Sequence, residues 1–247
     1  MKSQKTVVIL HGFPNTLSKD RSPLLAFFIS ENYNIIMPDL MADVDHFNVE
    51  GIKNKIHCEL NGTVPDVIVG ISMGGLIAPH LAKDYPTTKL IMIASGPKLK
   101  TKIPVFNFLI RLEKYDTSLF LWRLIKRIPR SVYLLVYKTF SKYKNNATTM
   151  EEYINKANEN WNSLQKIPIN KVKEVLKFAT ETDNTDLLTK TVNKTIIIAG
   201  RSDKLMPQTH SEKMAGCIKQ SRLVTLNRAH YDIFTHSDYA LLYDFLN

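Results

Sequence analysis

Six short runs of β-branched and other apolar residues constrain the fold more than any other feature of the 247-residue chain: TVVIL at 6–10, YNIIMP at 33–38, DVIVGI at 66–71, KLIMIA at 89–94, TIIIAG at 195–200 and RLVTL at 222–226. Their near-continuous apolarity suits strands covered on both faces, as in a parallel sheet, rather than strands with one face in water. Segments long enough for a crossover helix separate most of them, among them Ser22–Glu31 after the first run and Gly74–Lys83 after the third. Strand and helix alternating in this way predict an open α/β sheet, whose ligands bind beyond the carboxyl ends of the strands.

The alternation stops between Ser95 and Thr195, where about a hundred residues hold no convincing strand. Helices are expected there instead, with starts at Asp116, Ser131 and Thr148, the last forming a capping box with Glu151, and with Pro104, Pro129 and Pro168 as punctuation. A helical block between two strands of a sheet reads as a cap over one of its edges. The expected division is a core of residues 1–96 and 190–247 with a cap at 97–189. With 44% hydrophobic residues, the length suffices for one sizeable core carrying such an insertion.

Two cysteines far apart, Cys58 and Cys217, offer neither a disulfide framework nor a paired-cysteine metal site. The start, MKSQKTVVILHGF, lacks the apolar region and cleavage site of a signal peptide, and no uncharged apolar stretch is long enough to span a membrane, so a cytoplasmic protein is expected. The formal charge of +10 is concentrated: from Lys98 to Lys144 there are twelve basic residues against two acidic ones, Glu113 and Asp116. The rest of the chain is close to neutral.

Gly70-Ile71-Ser72-Met73-Gly74 fits G-x-S-x-G, in which a serine occupies a strained strand-to-helix turn. Here the third apolar run ends at Gly70 and a helix-compatible run begins at Gly74, which is the context that the turn requires. A serine hydroxyl needs a base, and the base needs an orienting group. GRSDKLMP places Asp203 in the loop after the fifth run, and NRAHYDIF places His230 after the sixth. The order Ser72, Asp203, His230 is that of Ser…Asp…His hydrolases, and each residue leaves the carboxyl end of a different strand. Asp183, Asp186 or no acid at all, with Asp203 merely capping the following helix, are the alternatives for the orienting group, and a turn serine or a packing histidine is the structural alternative for Ser72 or His230. In LHGFP, Gly12 permits a backbone path that aims the Phe13 amide outward, so Phe13 and Met73 are the expected oxyanion donors. His11 is expected to shape this loop through hydrogen bonds. Asp43, Asp45 and His46 lack a partner at ligand spacing and read as a solvated loop, so no metal site is expected.

Taken in order, LHGFP, GISMGG, GRSDKLMP and NRAHYDIF resemble the α/β-hydrolase superfamily over residues 6–96 and 190–247. The resemblance implies Ser72 as nucleophile, His230 as general base and then acid, Asp203 as its orienting carboxylate, and no cofactor. Because the first apolar run begins at residue 6, it also implies a sheet of about six strands with a reduced N-terminus and an inserted helical cap. HGFP is shared with epoxide hydrolases and haloalkane dehalogenases, whose nucleophile is an aspartate, whereas position 72 is a serine. MPDLMADVDHF lacks the arginine-glycine-rich loop common after the second strand, which leaves that wall of the site unassigned. The expected activity is hydrolysis of a carboxylic ester or thioester of an acyl chain. Acyl transfer or carbon–carbon hydrolysis on the same three residues, and a ligand-binding protein with little turnover, are the alternatives.

In SLFLWRLIKRIPR, Arg123, Lys126, Arg127 and Arg130 fall at offsets of 0, 3, 4 and 7, the spacing of one helix face. Such a face either only solvates the protein or docks a partner: an acidic carrier protein presenting a tethered acyl chain, or, as the lesser expectation, anionic lipid headgroups. Nucleic acid is not expected, since no recognition motif accompanies the charge. In charge and placement the cap resembles the basic lid of the pimeloyl-acyl-carrier-protein methyl ester esterases of biotin synthesis. Phe106, Phe108, Phe120, Trp122, Tyr133, Tyr137 and Phe140 would line an apolar acyl tunnel or pack between cap helices.

Overall fold

The computed structural model describes residues 4–14, 22–103, 107, 111, 115, 118, 120–138 and 150–247. All six runs form strands: β1 (Thr6–Leu10), β2 (Asn34–Ile36), β3 (Val67–Ile71), β4 (Lys89–Ile93), β5 (Thr195–Gly200) and β6 (Ser221–Leu226). They make one parallel sheet in the order β2-β1-β3-β4-β5-β6. The run at 33–38 gives the shortest strand, paired to β1 over three residues. It stops short of Pro38, which has no N–H for a ladder.

Alternate strand residues feed two apolar layers, which explains why the runs read as continuously hydrophobic. Val8, Leu10, Ile68, Leu90, Met92 and Ile197 enter one layer. Val7, Ile9, Val69, Ile91, Ile93 and Ile198 enter the other. The first layer is covered by α2 (Val49–Leu60), α3 (Gly74–Ala82) and α9 (Gln208–Cys217), the second by α1 (Pro23–Ser30) and α10 (Tyr239–Leu246). In α2 the buried Ile52, Ile56 and Leu60 recur every fourth residue, so one stripe meets the sheet while the other faces stay polar. Ser22 caps α1 ahead of Pro23, and Asn48 caps α2 by accepting the Gly51 amide at 2.8 Å.

Between β4 and β5 the described residues contain helices and no strand: α4 (Phe120–Lys126), α5 (Arg130–Tyr137), α6 (Met150–Lys166), α7 (Ile169–Glu181) and α8 (Thr185–Thr189). Pro129 and Pro168 stand at the N-caps of α5 and α7, as a residue without an N–H can. The helix expected from Ser131 thus begins one residue earlier, at Arg130. The expected starts at Asp116 and Thr148, together with Pro104, Phe106, Phe108 and Phe140, lie outside the described residues. Among the described residues no helix is long and apolar enough to cross a membrane.

Candidate functional site

The turn after β3 is built from close approaches. A Cβ on Gly74 would come 2.1 Å from the Leu10 carbonyl oxygen, and one on Gly70 would meet Ala78 Cβ at 2.7 Å. Only hydrogen fits at either place, so α3 can press against β1 and turn sharply out of β3. Ser72, between them, has φ 52°, in the left-handed region, a conformation costing a non-glycine residue about 1–2 kcal/mol. Three hydrogen bonds hold it: Ser72 N–H donates to Ile93 O at 2.8 Å, and Ser72 O accepts from Ser95 Oγ at 2.9 Å and from the Gly75 amide at 3.0 Å.

Ser72, His230 and Asp203, from the ends of β3, β6 and β5, meet at one rim of the sheet. His230 Nε2 lies 3.0 Å from Ser72 Oγ, and His230 Nδ1 lies 2.7 Å from Asp203 Oδ2. Asp203 is 3% exposed and His230 6%. The other Asp203 oxygen accepts the amides of Leu205 at 2.9 Å and Met206 at 2.8 Å. Two amides take up one Asp203 oxygen and leave the other for His230 Nδ1; with the proton on Nδ1, the Nε2 lone pair faces the serine. Asp183 accepts instead from Lys98 at 2.7 Å and from Thr185, and the exposed Asp186 begins α8. Asp183 is therefore engaged elsewhere and Asp186 stands in solvent.

Gly12 packs against the turn, where a Cβ would stand 3.3 Å from Ser72 Cβ. Phe13 follows it, and Met73 is the N-cap of α3, at the end of a helix where amides lack intrahelical partners. Both residues are thus placed beside Ser72. His11 is fully buried, with Nδ1 2.7 Å from Gly12 O and Nε2 accepting the Leu40 amide at 2.9 Å. It ties the loop after β1 to the loop after β2, the shaping role expected of it.

The wall left unassigned by the sequence is held to α7. The Lys171 amine, on a side chain 7% exposed, donates to Val44 O at 2.8 Å, Asp45 O at 2.7 Å and Glu174 Oε2 at 3.1 Å. Burial pushes the Glu174 carboxyl up, but the Phe47 amide, Lys171 and the His46 ring outweigh it and hold the group below its ordinary value. His46 Nδ1 points to Glu174 at 3.4 Å and Asp43 accepts the Asp39 amide at 2.8 Å. Among the described residues no group of three His, Cys, Asp or Glu side chains is arranged to hold a metal.

An aromatic and amide cluster, of which the sequence singled out only Tyr133 and Tyr137, joins α5 and α6 to the histidine. Tyr137 of α5 stacks on Tyr231, ring centroids 4.6 Å apart and planes 10° apart, while Tyr231 meets His230 edge-on at 5.4 Å. Burial, and then the Asp203 carboxylate, push the Tyr231 hydroxyl up to about 12, against the amide of Asn160. Asn160, 1% exposed, also accepts from the Tyr133 hydroxyl, whose pKa burial raises. Tyr231 itself left only its adjacency to His230 in AHYDIF as a trace in the sequence.

The four cations expected along one helix face do not share one. Pro129 ends the run, so Arg123 and Lys126 lie on α4 and Arg130 starts α5. Arg123 and Arg127 are exposed. Arg130 Nε donates to Asn158 at 2.7 Å, and Lys126 donates to the carbonyls of Gln165, at 3.0 Å, and Ile167. The long lysine stem reaches the C-terminal end of α6, where backbone carbonyls lack intrahelical donors. Of the expected tunnel aromatics, Trp122 packs into the first apolar layer, Tyr137 is buried and Phe120 is 64% exposed.

Among curated proteins, none matches the chain significantly. Solved structures do. The enol-lactonase from Burkholderia xenovorans has a TM-score of 0.74 at 15% identity, over 99% of this chain and 92% of that one. The esterase from Exiguobacterium antarcticum has a TM-score of 0.71 at 19% identity, over 100% and 93%. The 2-hydroxy-6-oxo-6-phenylhexa-2,4-dienoate hydrolase from Rhodococcus sp. has a TM-score of 0.70 at 19% identity, over 98% and 90%. At such identities the likeness is one of fold, the α/β-hydrolase sheet with its flanking helices. Residues 36–237 match the family described as serine aminopeptidase, S33. With most of its length matched, the chain belongs to that family of α/β-hydrolases.

Proposed function

We propose that the chain is a serine hydrolase that cleaves a carboxylic ester or thioester of an acyl chain through an acyl-enzyme. The observation that carries this reading is the continuous hydrogen-bonded chain from Ser72 Oγ through His230 to Asp203. His230 Nε2 takes the hydroxyl proton as Ser72 Oγ bonds to the acyl carbonyl carbon. The carbonyl electrons move to the oxygen, which the amides of Phe13 and Met73 receive. As the tetrahedral adduct collapses, the bond to the alcohol or thiol breaks and His230 returns its proton to that leaving group. A water, deprotonated by His230, then attacks the acyl-enzyme, and Ser72 leaves with the proton restored. Asp203 keeps Nδ1 protonated throughout and supports the imidazolium that forms.

Esterase and lactonase chemistry, named for two similar folds, agrees with ester cleavage. The third similar fold carries a hydrolase of another name, so carbon–carbon hydrolysis on the same residues is the neighbouring reading. The test is a fluorophosphonate probe followed by mass spectrometry of the intact protein, beside turnover of short activated esters. A single adduct is expected on the wild type and on neither Ser72→Ala nor His230→Ala, with ester turnover down at least about 10⁴-fold in both. A folded wild type that neither labels nor turns over esters would leave a ligand-binding role for the fold.

A further inference from the structure

We infer that the outward side of α4 and α5 docks on the headgroup layer of an anionic membrane. Among the described residues twelve large hydrophobic side chains are exposed, and eight of them lie between Tyr115 and Ile154. That concentration, in under a sixth of the chain, exceeds the scattered exposure normal for a protein surface. The same stretch overlaps the segment that carries the excess of basic residues.

Exposed apolar groups stand on both helices, and on α4 they stand beside exposed arginines. On α5, Val132, Leu135 and Val136 stand at i, i+3 and i+4 and are 45%, 69% and 45% exposed, while Tyr137 is buried against Tyr231. On α4, Leu124 is 54% exposed beside the exposed Arg123 and Arg127, while Trp122 is buried. Aliphatic groups between arginines suit an interface that is anionic at the headgroups and apolar just below. The side chains enter the acyl boundary and the long arginine stems keep their charges in the headgroups. Residues 120–138 hold no acidic residue, and of their cations Arg123 and Arg127 are exposed while Lys126 is turned to backbone carbonyls. Exposed aliphatic side chains flanked by cations match a surface that is anionic at its edge and apolar just beneath, which an acidic protein surface is not.

The purpose of such docking rests on the serine hydrolase reading; the docking itself does not. Tyr137 lies on the inner side of the docking helix and touches the residue next to His230, so a membrane-bound cap would hold the site beside the layer in which acyl esters dissolve.

The experiment is co-sedimentation of the full chain with vesicles of phosphatidylcholine alone and of phosphatidylcholine with about one-third phosphatidylglycerol, at about 0.1 M salt, where surface charges still interact over about 10 Å. Binding to the anionic vesicles and not to the neutral ones is expected. The pairs Arg123→Glu with Arg127→Glu and Leu124→Ser with Leu135→Ser should each lower the bound fraction at least about tenfold. Far-ultraviolet circular dichroism checks that the variants are folded, and Leu135→Glu alone supplies a second apolar test. The Leu124→Ser, Leu135→Ser pair should still label at Ser72 with the phosphonate. No binding of the wild type to anionic vesicles overturns the inference. So does binding to anionic vesicles that both the charge-reversed and the apolar variants leave unchanged, which would place the contact elsewhere on the chain. Failure of Ser72 to label in the wild type sinks the hydrolase reading alone and leaves the vesicle result standing.

Discussion

Asp203 Oδ2 and His230 Nδ1 are 2.7 Å apart, and the other Asp203 oxygen is saturated by the amides of Leu205 and Met206. The carboxylate is thereby fixed in place by its own loop and leaves one oxygen for the histidine. Asp203→Asn preserves the shape but can present an N–H to Nδ1 and stabilise the wrong tautomer. Ester turnover should fall by about 10⁴-fold with the thermal midpoint little changed, and the rate of phosphonate labelling at Ser72 should fall with it. Unchanged labelling would mean that another group orients His230.

Two glycines test how tightly the serine turn is packed. Gly74→Ala drives a methyl to within 2.1 Å of the Leu10 carbonyl, a backbone contact that cannot yield cheaply, so a loss of about 3 kcal/mol or more is expected in denaturant unfolding. Gly216 lies near the end of α9 with nothing within 4 Å of its added Cβ. Gly216→Ala should stabilise by about 0.4–1 kcal/mol and raise the thermal midpoint by up to about 2–4 °C. Equal effects at the two positions would refute the packing argument.

The Lys171 amine satisfies two backbone carbonyls and Glu174 at once. Lys171→Met keeps the apolar stem but leaves those acceptors without their donor. Charged hydrogen bonds of this kind are worth about 1.5–3 kcal/mol, and a loss in that range is expected from chemical unfolding. Hydrogen exchange should also quicken at Phe47 N–H, which donates to Glu174 at 2.7 Å. A variant as stable as the wild type, with Phe47 still protected, would show that the loop holds without this tie.

Asp183 gives a dependence on pH. The hydrogen bond from Lys98, and then that from Thr185, hold its carboxyl well below the usual range. Because the folded value lies below the unfolded value of about 4, the contribution is complete above that value and is lost as pH falls through it toward the folded one. Both side chains are more than two-fifths exposed, and solvent screening limits the pair to at most about 1 kcal/mol. Asp183→Asn keeps the oxygen that accepts from Thr185 and should melt up to about 2–4 °C below the wild type at neutral pH. The gap should narrow in melts taken below about pH 4. A gap constant across that range would mean that charge plays no part.

What the sequence by itself determined was whatever local patterning controls. The six apolar runs suited strands covered on both faces, and all six form strands; β1, β3, β4 and β5 are buried almost throughout, while the edge strands β2 and β6 are partly exposed. The G-x-S-x-G turn was legible because glycines are required where Gly70 and Gly74 touch neighbouring atoms. The order Ser72, Asp203, His230 was legible too, with Asp183 and Asp186 left open as rivals for the orienting acid. Asp203, Asp183 and Asp186 are all loop or helix-start acids, and their separation along the chain says nothing about distance in space. That choice belonged to the tertiary structure, as did the cluster of Tyr137, Asn160 and Tyr231, whose members meet only because α5 and α6 pack against the turn that carries His230. The cations of α4 and α5 show the limit from the other side. Helical spacing placed four on one face, yet Pro129 breaks the helix and Lys126 turns inward to carbonyls of a later segment. Periodicity reports which way a side chain starts from its own backbone; where a long flexible side chain ends is decided by the acceptors that the rest of the fold brings within its reach.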